Sequence, residues 1–278
     1  MLRSVTPIFL LNRYSTPVDV NGYHIGQSAY RQSQIFWNSL RGTMGPPMIS
    51  MYANDQSSLL KHTYYRASRL AMWAILLVCT PLCVFGPEVI GFYGGKQYMS
   101  SAWIMIALLM RYPFQMLNAL LPQLARAAEK PNLVAIPMII GEAACALSIY
   151  ISIVYFNGNA LSAAISCLTV SVLVETCVLV PIAKKLLNGS YWALIFKSFL
   201  PGIFPALVTI GLGFLVRPES VDTVGQLVAW IAPVVLFYVI MVLVFFGPED
   251  RRDLKSFSKK VISIFGKLGR RSADKTNP

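Results

Sequence analysis

Charged residues are scarce in this sequence, and their scarcity excludes an ordinary soluble domain. Only 13% of the 278 residues are charged, whereas soluble chains carry about 25%. Three stretches of 18, 19 and 26 residues carry no charge at all: 70–87, 198–216 and 223–248. About 20 apolar residues cross a bilayer as a helix. The composition therefore predicts an all-α, polytopic membrane bundle, and it excludes secreted disulfide scaffolds, cytosolic enzymes and disordered chains.

Residues that carry metal or redox chemistry are also few. The two histidines, His24 and His62, are isolated from one another, and no cysteine has zinc-ligand spacing. All five cysteines lie within apolar stretches: Cys79, Cys83, Cys145, Cys167 and Cys177. We expect them to be small packing residues with no redox or metal role, and we expect no cofactor and no bound metal.

Seven segments have the length and composition of membrane-spanning helices. They cover residues 24–52, 69–87, 100–124, 132–156, 161–182, 194–216 and 225–247. The first is the least apolar, and we include it because turn-like segments flank it and its polar residues share one face. All connections between the segments are short, so no soluble domain is inserted between them.

The 24 lysines and arginines, which together with 12 acidic residues give a net charge of +12, are unevenly distributed. When successive loops are assigned to alternate sides, one side receives 17 basic residues and the other receives 4, while Arg31, Arg41 and Arg111 fall within spans. Basic loops remain in the cytoplasm. We therefore expect a multi-pass protein of the inner (plasma) membrane, with a cytoplasmic C-terminus, the first residues outside and no nucleic-acid partner.

The chain is predicted to have three parts. Residues 1–23 form an outside segment that looks like the end of a preceding span, residues 24–248 form the transmembrane bundle, and residues 249–278 form a cytoplasmic tail. From about residue 249 to residue 271, apolar residues recur at helical spacing among lysines. This pattern predicts a basic amphipathic helix on an anionic leaflet; a solvated charged tail is the alternative.

A polar stripe runs along the first predicted span. Five polar side chains recur at positions i, i+4, i+7, i+11 and i+14: Gln27, Arg31, Gln34, Asn38 and Arg41. On an α-helix they fall within an arc of about 80° and extend over about 21 Å. Charges at membrane depth face a bundle interior or a water-filled cavity. The stripe therefore lines a hydrated path, or it forms a structural seam in which the arginines pair with Glu142 and Glu175.

The third predicted span carries a weaker version of this pattern, because Arg111, Gln115 and Asn118 share one helical face. Two cationic stripes without histidine and with few acids favour an anionic substrate such as phosphate, pyrophosphate or an acidic sugar. Glu142 and Glu175 lie in later spans. We interpret them as counter-charges or as ion-coupling carboxylates.

Three segments carry a resemblance to a known family. Val20–Gly26 reads VNGYHIG and precedes a long helix that ends in Gly-Pro-Pro-Met, Phe92–Tyr98 reads FYGGKQY and forms a short turn before a span, and Ala125–Asn132 is a short loop of small and basic residues. In order and spacing the chain resembles the polysaccharide (O-antigen) flippases of the multidrug/oligosaccharidyl-lipid/polysaccharide exporter superfamily. The resemblance covers about residues 20–185.

This resemblance implies a transporter that moves an undecaprenyl-pyrophosphate-linked glycan to the outer leaflet by alternating access. The three intramembrane arginines would attract pyrophosphate or acidic sugars, and the amides of the two stripes would hydrogen-bond the glycan. Family members have two six-helix lobes, and this chain corresponds to the second lobe from the end of the seventh helix. A partner chain would then supply the first lobe, or the chain would be truncated or inactive.

Three other functions compete with this one. A drug exporter of the same superfamily would prefer acidic and aromatic residues in its cavity, and the excess of arginine argues against it. A membrane enzyme would need a catalytic base and usually a sizeable outside loop; neither is visible, so no enzymatic activity is expected. A non-transporting membrane fragment is the last alternative.

Overall fold

Helices make up almost all of the described chain, and no strand occurs within it. A computed structural model describes residues 2–218, 221–247 and 250–251; the side chains of residues 2–4 and 40–44 lie outside this description. The described chain falls into two compact units that divide between Tyr238 and Val239. The first unit contains all the polar residues that the sequence singled out within the spans.

The α-helices follow one another along the described residues. In chain order they are α1 (Leu2–Tyr14), α2 (Pro17–Ala53), α3 (Ser57–Val84), α4 (Gly86–Gly94), α5 (Ala102–Leu109), α6 (Tyr112–Leu117), α7 (Leu121–Ala127), α8 (Asn132–Tyr155), α9 (Ala160–Leu173), α10 (Val180–Leu187), α11 (Tyr191–Leu194), α12 (Leu200–Val216) and α13 (Val224–Val244). A 3₁₀ turn precedes α5, and π-helical turns join α9 to α10 and α11 to α12: Lys96–Ser101, Val174–Leu179 and Ile195–Phe199.

Six helical segments of the described chain are long and apolar enough to cross a membrane. They are Ser57–Val84, Lys96–Ala127, Asn132–Tyr155, Ala160–Leu187, Tyr191–Val216 and Val224–Val244. These segments match the last six of the seven predicted spans. The prediction of an all-α, polytopic helical membrane bundle is confirmed.

The first predicted span, residues 24–52, lies inside α2. With 37 residues, α2 extends over about 55 Å, which exceeds the thickness of a bilayer core. It is nevertheless too polar to count among the six apolar segments, so its passage through the membrane stays a prediction. Gly26 allows α2 to pack closely on α5, because a Cβ at this position would come within 2.9 Å of the Ser101 carbonyl oxygen and of Ile104.

The six apolar segments differ in how far the protein itself covers them. The most apolar windows of Lys96–Ala127 and α3 are 78% and 67% buried, whereas those of α8 and α13 are 17% and 11% buried. The first two segments therefore form the centre of the first unit. The peripheral helices expose many large apolar side chains, among them Ile139 and Leu236, as expected for side chains that face lipid.

The third predicted span, residues 100–124, is not one continuous helix. It is interrupted after Leu109 and again at Asn118–Leu120. Pro113 and Pro122 lie at the first turns of α6 and α7, and proline, which lacks an N–H and clashes with the carbonyl four residues earlier, is tolerated at a first turn but not inside a helix. Arg111 and Asn118, the two ends of the predicted stripe, therefore flank the short helix α6.

Side chains of α3 donate hydrogen bonds to backbone carbonyls that lack a helical partner because of these interruptions or because of further prolines. The Tyr64 and Ser68 hydroxyls donate to the Leu117 carbonyl at the end of α6, at 3.1 and 3.4 Å. One helical turn further along, Arg69 Nη1 donates to the Lys197 carbonyl at 3.4 Å, and Trp73 Nε1 donates to the Pro201 carbonyl at 2.9 Å. A buried carbonyl without a donor is costly, so α3 stabilises two irregular segments at once.

Both π-helical turns end two residues before a proline. Val174–Leu179 is followed by Val180 and Pro181, and Ile195–Phe199 is followed by Leu200 and Pro201. The ring of a proline clashes with the carbonyl of residue i−4, and a wider i→i+5 turn moves that carbonyl away. The first of these turns contains Glu175. A candidate site residue therefore lies on irregular backbone, and π-helical turns of this kind are frequent at functional sites.

The second unit contains the end of α13 and the first residues after it. Asp250 Oδ2 accepts a hydrogen bond from the backbone N–H of Gly247 at 3.1 Å. The predicted amphipathic tail helix lies outside the described residues, apart from Asp250 and Arg251.

Candidate functional site

A polar cavity of about 130 Å³ lies in the first unit. Its walls come from α2, the interrupted segment Lys96–Ala127, α8 and the π-helical turn after α9. It brings together five residues that the sequence singled out: Gln34, Asn38, Gln115, Asn118 and Glu175. The rest of its wall is largely apolar and includes the buried Trp37 and Val134. The two predicted stripes therefore meet at their amide-bearing parts, where the membrane-embedded bundle offers hydrogen-bonding groups.

Asn118 and Glu175 form the best-defined polar contact of this cavity. Asn118 Nδ2 donates to Glu175 Oε2 at 2.9 Å and to the Glu175 backbone carbonyl at 3.0 Å. Both residues are buried, and Asn118 Oδ1 finds no hydrogen-bond partner among the described side chains. Asn118 reaches Glu175 because it caps α6 at the interruption of the third span, and Glu175 presents its carbonyl because the π-turn there is wide.

Arg111 lies elsewhere, although the sequence placed it on the same stripe as Asn118. It is 4% exposed, and its guanidinium carbon lies 5.2 Å from the centre of the Tyr30 ring in a cation–π arrangement. The Tyr30 hydroxyl accepts from Gln115 Nε2 at 3.4 Å. The Tyr112 hydroxyl donates to the Tyr30 backbone carbonyl at 2.8 Å. Arg111 is thus held by an aromatic cluster rather than by the polar cavity.

The residues of the first stripe do not share one environment. Gln27 is buried, Gln34 is half-buried, and Arg31 and Asn38 are exposed. Of these four residues, only Gln34 and Asn38 line the polar cavity. The side chain of Arg41 lies outside the described part of the chain. The stripe follows the border of the buried face of α2, which explains why its members alternate between cavity and surface.

Glu142 lines a second, much smaller cavity of about 10 Å³, together with Arg111, Cys145, Cys167 and Ser171. The sequence left two roles open for Glu142 and Glu175. Glu175 accepts from an amide in the polar cavity, whereas Glu142 shares its cavity with the Arg111 side chain. The two carboxylates therefore belong to different sites.

A third cavity, of about 330 Å³, is apolar and lies between α12 and α13. Its walls come from two helices and from the end of α3: Phe85, Thr209, Leu212, Gly213, Val216, Trp230, Pro233, Val234 and Phe237. Beyond Val216, Arg217 forms an ion pair with Glu88 at the start of α4. No sequence pattern predicted this cavity, because its lining residues are the ordinary apolar residues of two membrane helices.

The five cysteines are all reduced thiols, and no cluster of three or more metal-ligating side chains occurs in residues 2–218, 221–247 and 250–251. The sequence did not single out Tyr30, Tyr112 or the short distance between Cys145 and Cys167. Aromatic and thiol side chains carry no periodic polar signal in an apolar helix, so nothing in the sequence marked these three features.

The comparisons with known proteins identify no relative. No family model matches the sequence, and neither the curated proteins nor the solved structures contain a match.

Proposed function

We propose that the chain is a helical lobe of a membrane transporter, and that it moves a lipid-linked oligosaccharide or polysaccharide precursor across the inner membrane. The observation that carries the proposal is the polar cavity in an otherwise apolar bundle. Polar groups in a membrane are costly and are retained where they line a substrate or ion pathway. The resemblance to the polysaccharide flippases adds the nature of the substrate.

The lining of the polar cavity suits uncharged hydroxyl groups. Gln34, Asn38, Gln115 and Asn118 each offer amide donors and an amide acceptor, which is the complement that sugar hydroxyls require. A volume of about 130 Å³ holds about four waters, at about 30 Å³ each. It is smaller than the 300–1,000 Å³ of a typical ligand pocket (an order-of-magnitude range), so passage of a glycan requires a more open state or a second lobe across α2.

The exposed face of α2 is where such a second lobe would lie. Arg31 is exposed on this face, beside the cavity-lining Gln34. A guanidinium binds phosphate through two parallel hydrogen bonds, so Arg31 is suited to attract the pyrophosphate while the amides contact the glycan. In this proposal a partner chain supplies the first lobe, the C-terminus is cytoplasmic, and Glu142 and Glu175 serve as counter-charges or in ion coupling.

The apolar cavity between α12 and α13 suits the other half of such a substrate. A lipid-linked glycan carries a long hydrocarbon chain, and burial of each CH₂ group contributes about 0.8 kcal/mol. The polar and apolar cavities are formed by different helices of one unit, so headgroup and chain would be bound by separate surfaces. The small polar volume also favours a second candidate, an exporter of a small polar solute.

The proposal is tested on α2 with variants that differ only in their helical position. Gln34→Leu and Asn38→Leu remove amides that line the cavity, and Gln32→Leu, on the opposite side of α2, is the matched control. We expect both cavity variants to lower surface glycan in cells that depend on the chain, at unchanged membrane abundance, while the control leaves export intact. Equal export by all three variants would contradict a role for the cavity in glycan transport.

A transport assay separates the two candidates. If export of glycan is unaffected while uptake or efflux of a small polar solute changes in Asn38→Leu, the exporter of small solutes is favoured. A loss of protein from the membrane in the cavity variants, but not in the control, would instead indicate that the amides form a structural seam.

A further inference from the structure

Helices α8 and α9 approach one another through small residues. The buried residues of α9 are all small and recur at helical spacing: Ala160, Ala163, Ala164, Cys167 and Ser171. On α8, Gly141 is buried, and a Cβ at this position would lie 3.1 Å from Val174 Cγ2. Small residues at a helix interface in a membrane allow close backbone approach. This contact therefore brings together side chains that longer residues would hold apart.

Two thiols meet in this contact. Cys145 lies one turn after Gly141 on α8, and its Sγ is 3.2 Å from Cys167 Sγ on α9. A disulfide has an S–S distance of about 2.05 Å, so the two sulfur atoms need to move by only about 1.2 Å toward one another. Cys167 is 2% exposed, whereas Cys145 is partly exposed. Cys145 is thus the thiol that a reagent reaches first.

The thiols share their surroundings with a buried cation. Both line the small cavity of about 10 Å³ with Arg111, and Arg111 is the one cation among the described residues that line it. Glu142 also lines this cavity, and the Tyr23 hydroxyl lies 3.9 Å from Cys167 Sγ. A guanidinium beside a thiol stabilises the thiolate, which is the nucleophilic form.

We infer that Cys145 and Cys167 are an oxidation site, at which a hydroperoxide converts the two thiols into a disulfide between α8 and α9. In the first step the Cys145 thiolate attacks one oxygen of hydrogen peroxide, the O–O bond breaks, and sulfenic acid and hydroxide form. In the second step Cys167 attacks the Cys145 sulfur, the S–O bond breaks, and the oxygen leaves as water. Two thiols and one peroxide thus yield one disulfide and two waters.

The disulfide would fix the contact between α8 and α9 at the level of both carboxylate sites. Glu142 lies three residues before Cys145, and Glu175 lies eight residues after Cys167. Any movement that separates these helices would require reduction of the bond. The inference does not depend on the proposed function, since it concerns only the chemistry of the two thiols.

The test uses the full chain in detergent, with two matched sets of cysteines. One chain retains only Cys145 and Cys167, and the control retains only Cys79 and Cys83, which are also buried but lie four residues apart on α3. After treatment with hydrogen peroxide, denaturation and alkylation, intact mass spectrometry counts the free thiols. We expect peroxide to remove the mass of two hydrogen atoms from the first chain about tenfold faster than it reacts with the control. Dithiothreitol should then restore both thiols.

Two results would overturn the inference. One is oxidation of Cys145 to sulfinic acid without a cross-link, and the other is disulfide formation in the control at the same rate. Arg111 supplies a further readout through the rate at which a sulfenic-acid probe labels Cys145 in a Cys167→Ala chain. Arg111→Gln is expected to slow this labelling and Arg111→Lys to preserve it, and size-exclusion chromatography checks that both variants are folded. Equal labelling rates in the two variants would show that the positive charge of Arg111 does not activate Cys145.

Discussion

Asp19 shows how one carboxylate orders the start of α2, before the predicted span. Its Oδ2 accepts from the Ser15 and Thr16 hydroxyls at 2.8 Å each, and its Oδ1 accepts from the backbone N–H of Ala160 at 3.3 Å. Thr16 caps the helix by accepting from the Asp19 N–H at 3.2 Å. Partial burial raises the pKa of Asp19, but these hydrogen bonds outweigh burial and hold the pKa below its ordinary value of 3.8.

A depressed pKa makes Asp19 a source of pH-dependent stability. The folded state binds the proton more weakly than the unfolded state, so the contribution is present above pH 3.8 and is lost as the pH falls below it. We expect Asp19→Asn to lower the thermal unfolding temperature of the solubilised chain at neutral pH, and the difference from wild type to shrink below that pH. Asp222→Asn, an exposed loop carboxylate, is the control. A difference that is constant with pH would contradict the argument.

The contact between Asn118 and Glu175 is a second prediction at the scale of single residues. Asn118→Asp replaces the donor with a second carboxylate near Glu175 Oε2, where like charges and a lost charge-assisted hydrogen bond together cost about 1.5–3 kcal/mol. Adding Glu175→Gln restores one donor and one acceptor in the reverse order. Unfolding of the solubilised chain should therefore show a large loss in the single variant and recovery of most of it in the double variant. No recovery would mean that the two side chains do not interact.

Among whole elements, the prolines of the segment Tyr191–Val216 explain its contact with α3. In a regular α-helix, the N–H of residue 201 would donate to the Lys197 carbonyl and the N–H of residue 205 to the Pro201 carbonyl. Both residues are prolines, so neither N–H exists. Arg69 and Trp73, also four residues apart, supply the two missing donors. The prolines on one membrane helix thus create a need for polar donors on the neighbouring helix. The donors have the same four-residue spacing as the prolines.

This explanation predicts an energetic coupling between Trp73 and Pro205. Trp73→Phe leaves the Pro201 carbonyl without its donor, which costs about 1–3 kcal/mol for a buried acceptor. With Pro205→Ala in place, an N–H is available within the helix, so the same Trp73→Phe change should cost much less. A double-mutant cycle on the thermal unfolding of the solubilised chain measures this difference. Additive effects of the two changes would show that the indole does not replace the lost helical bond.

The sequence predicted the helical elements better than it predicted the candidate site. Apolar length alone located six spans, because hydrophobic runs of about 20 residues have few alternatives to a membrane helix. It missed the interruption at Asn118–Leu120, although Pro113 and Pro122 mark both sides of the irregular segment. Helical periodicity also placed Arg111 on the same face as Asn118, but the two residues lie at opposite ends of α6 and line two different cavities. The site depends on where regular geometry fails, which a periodic pattern does not describe.

For the molecule as a whole, the distribution of charge predicts the direction of the spans. Within the first unit, Lys96–Ala127 and α3 are the most buried segments, while α8 exposes large apolar side chains. Basic residues are unevenly placed at the ends of the spans. Lys184 and Lys185 lie in the last turn of α10 and Lys197 in the π-helical turn after α11, whereas Arg217 is the one basic residue between α12 and α13. We expect the basic side to lie in the cytoplasm, which predicts the direction of every span.

This arrangement predicts which loops a membrane-impermeant thiol reagent can reach. In a cysteine-free chain, single cysteines at Phe156 and Asp222 should react in intact cells, whereas those at Ser57 and Ser190 should react only after permeabilisation. Phe156 is 78% exposed in the turn after α8, and Ser190 makes no side-chain capping bond at the start of α11, so the substitutions leave the helix ends undisturbed. A fifth single cysteine, at the exposed Asn12 ahead of α2, tests α2, since this position lies opposite Ser57 only if α2 crosses the membrane. Labelling of the Asn12 site only after permeabilisation, with the other four sites as predicted, would mean that α2 does not cross the membrane and would remove the basis for a hydrated stripe through the bilayer.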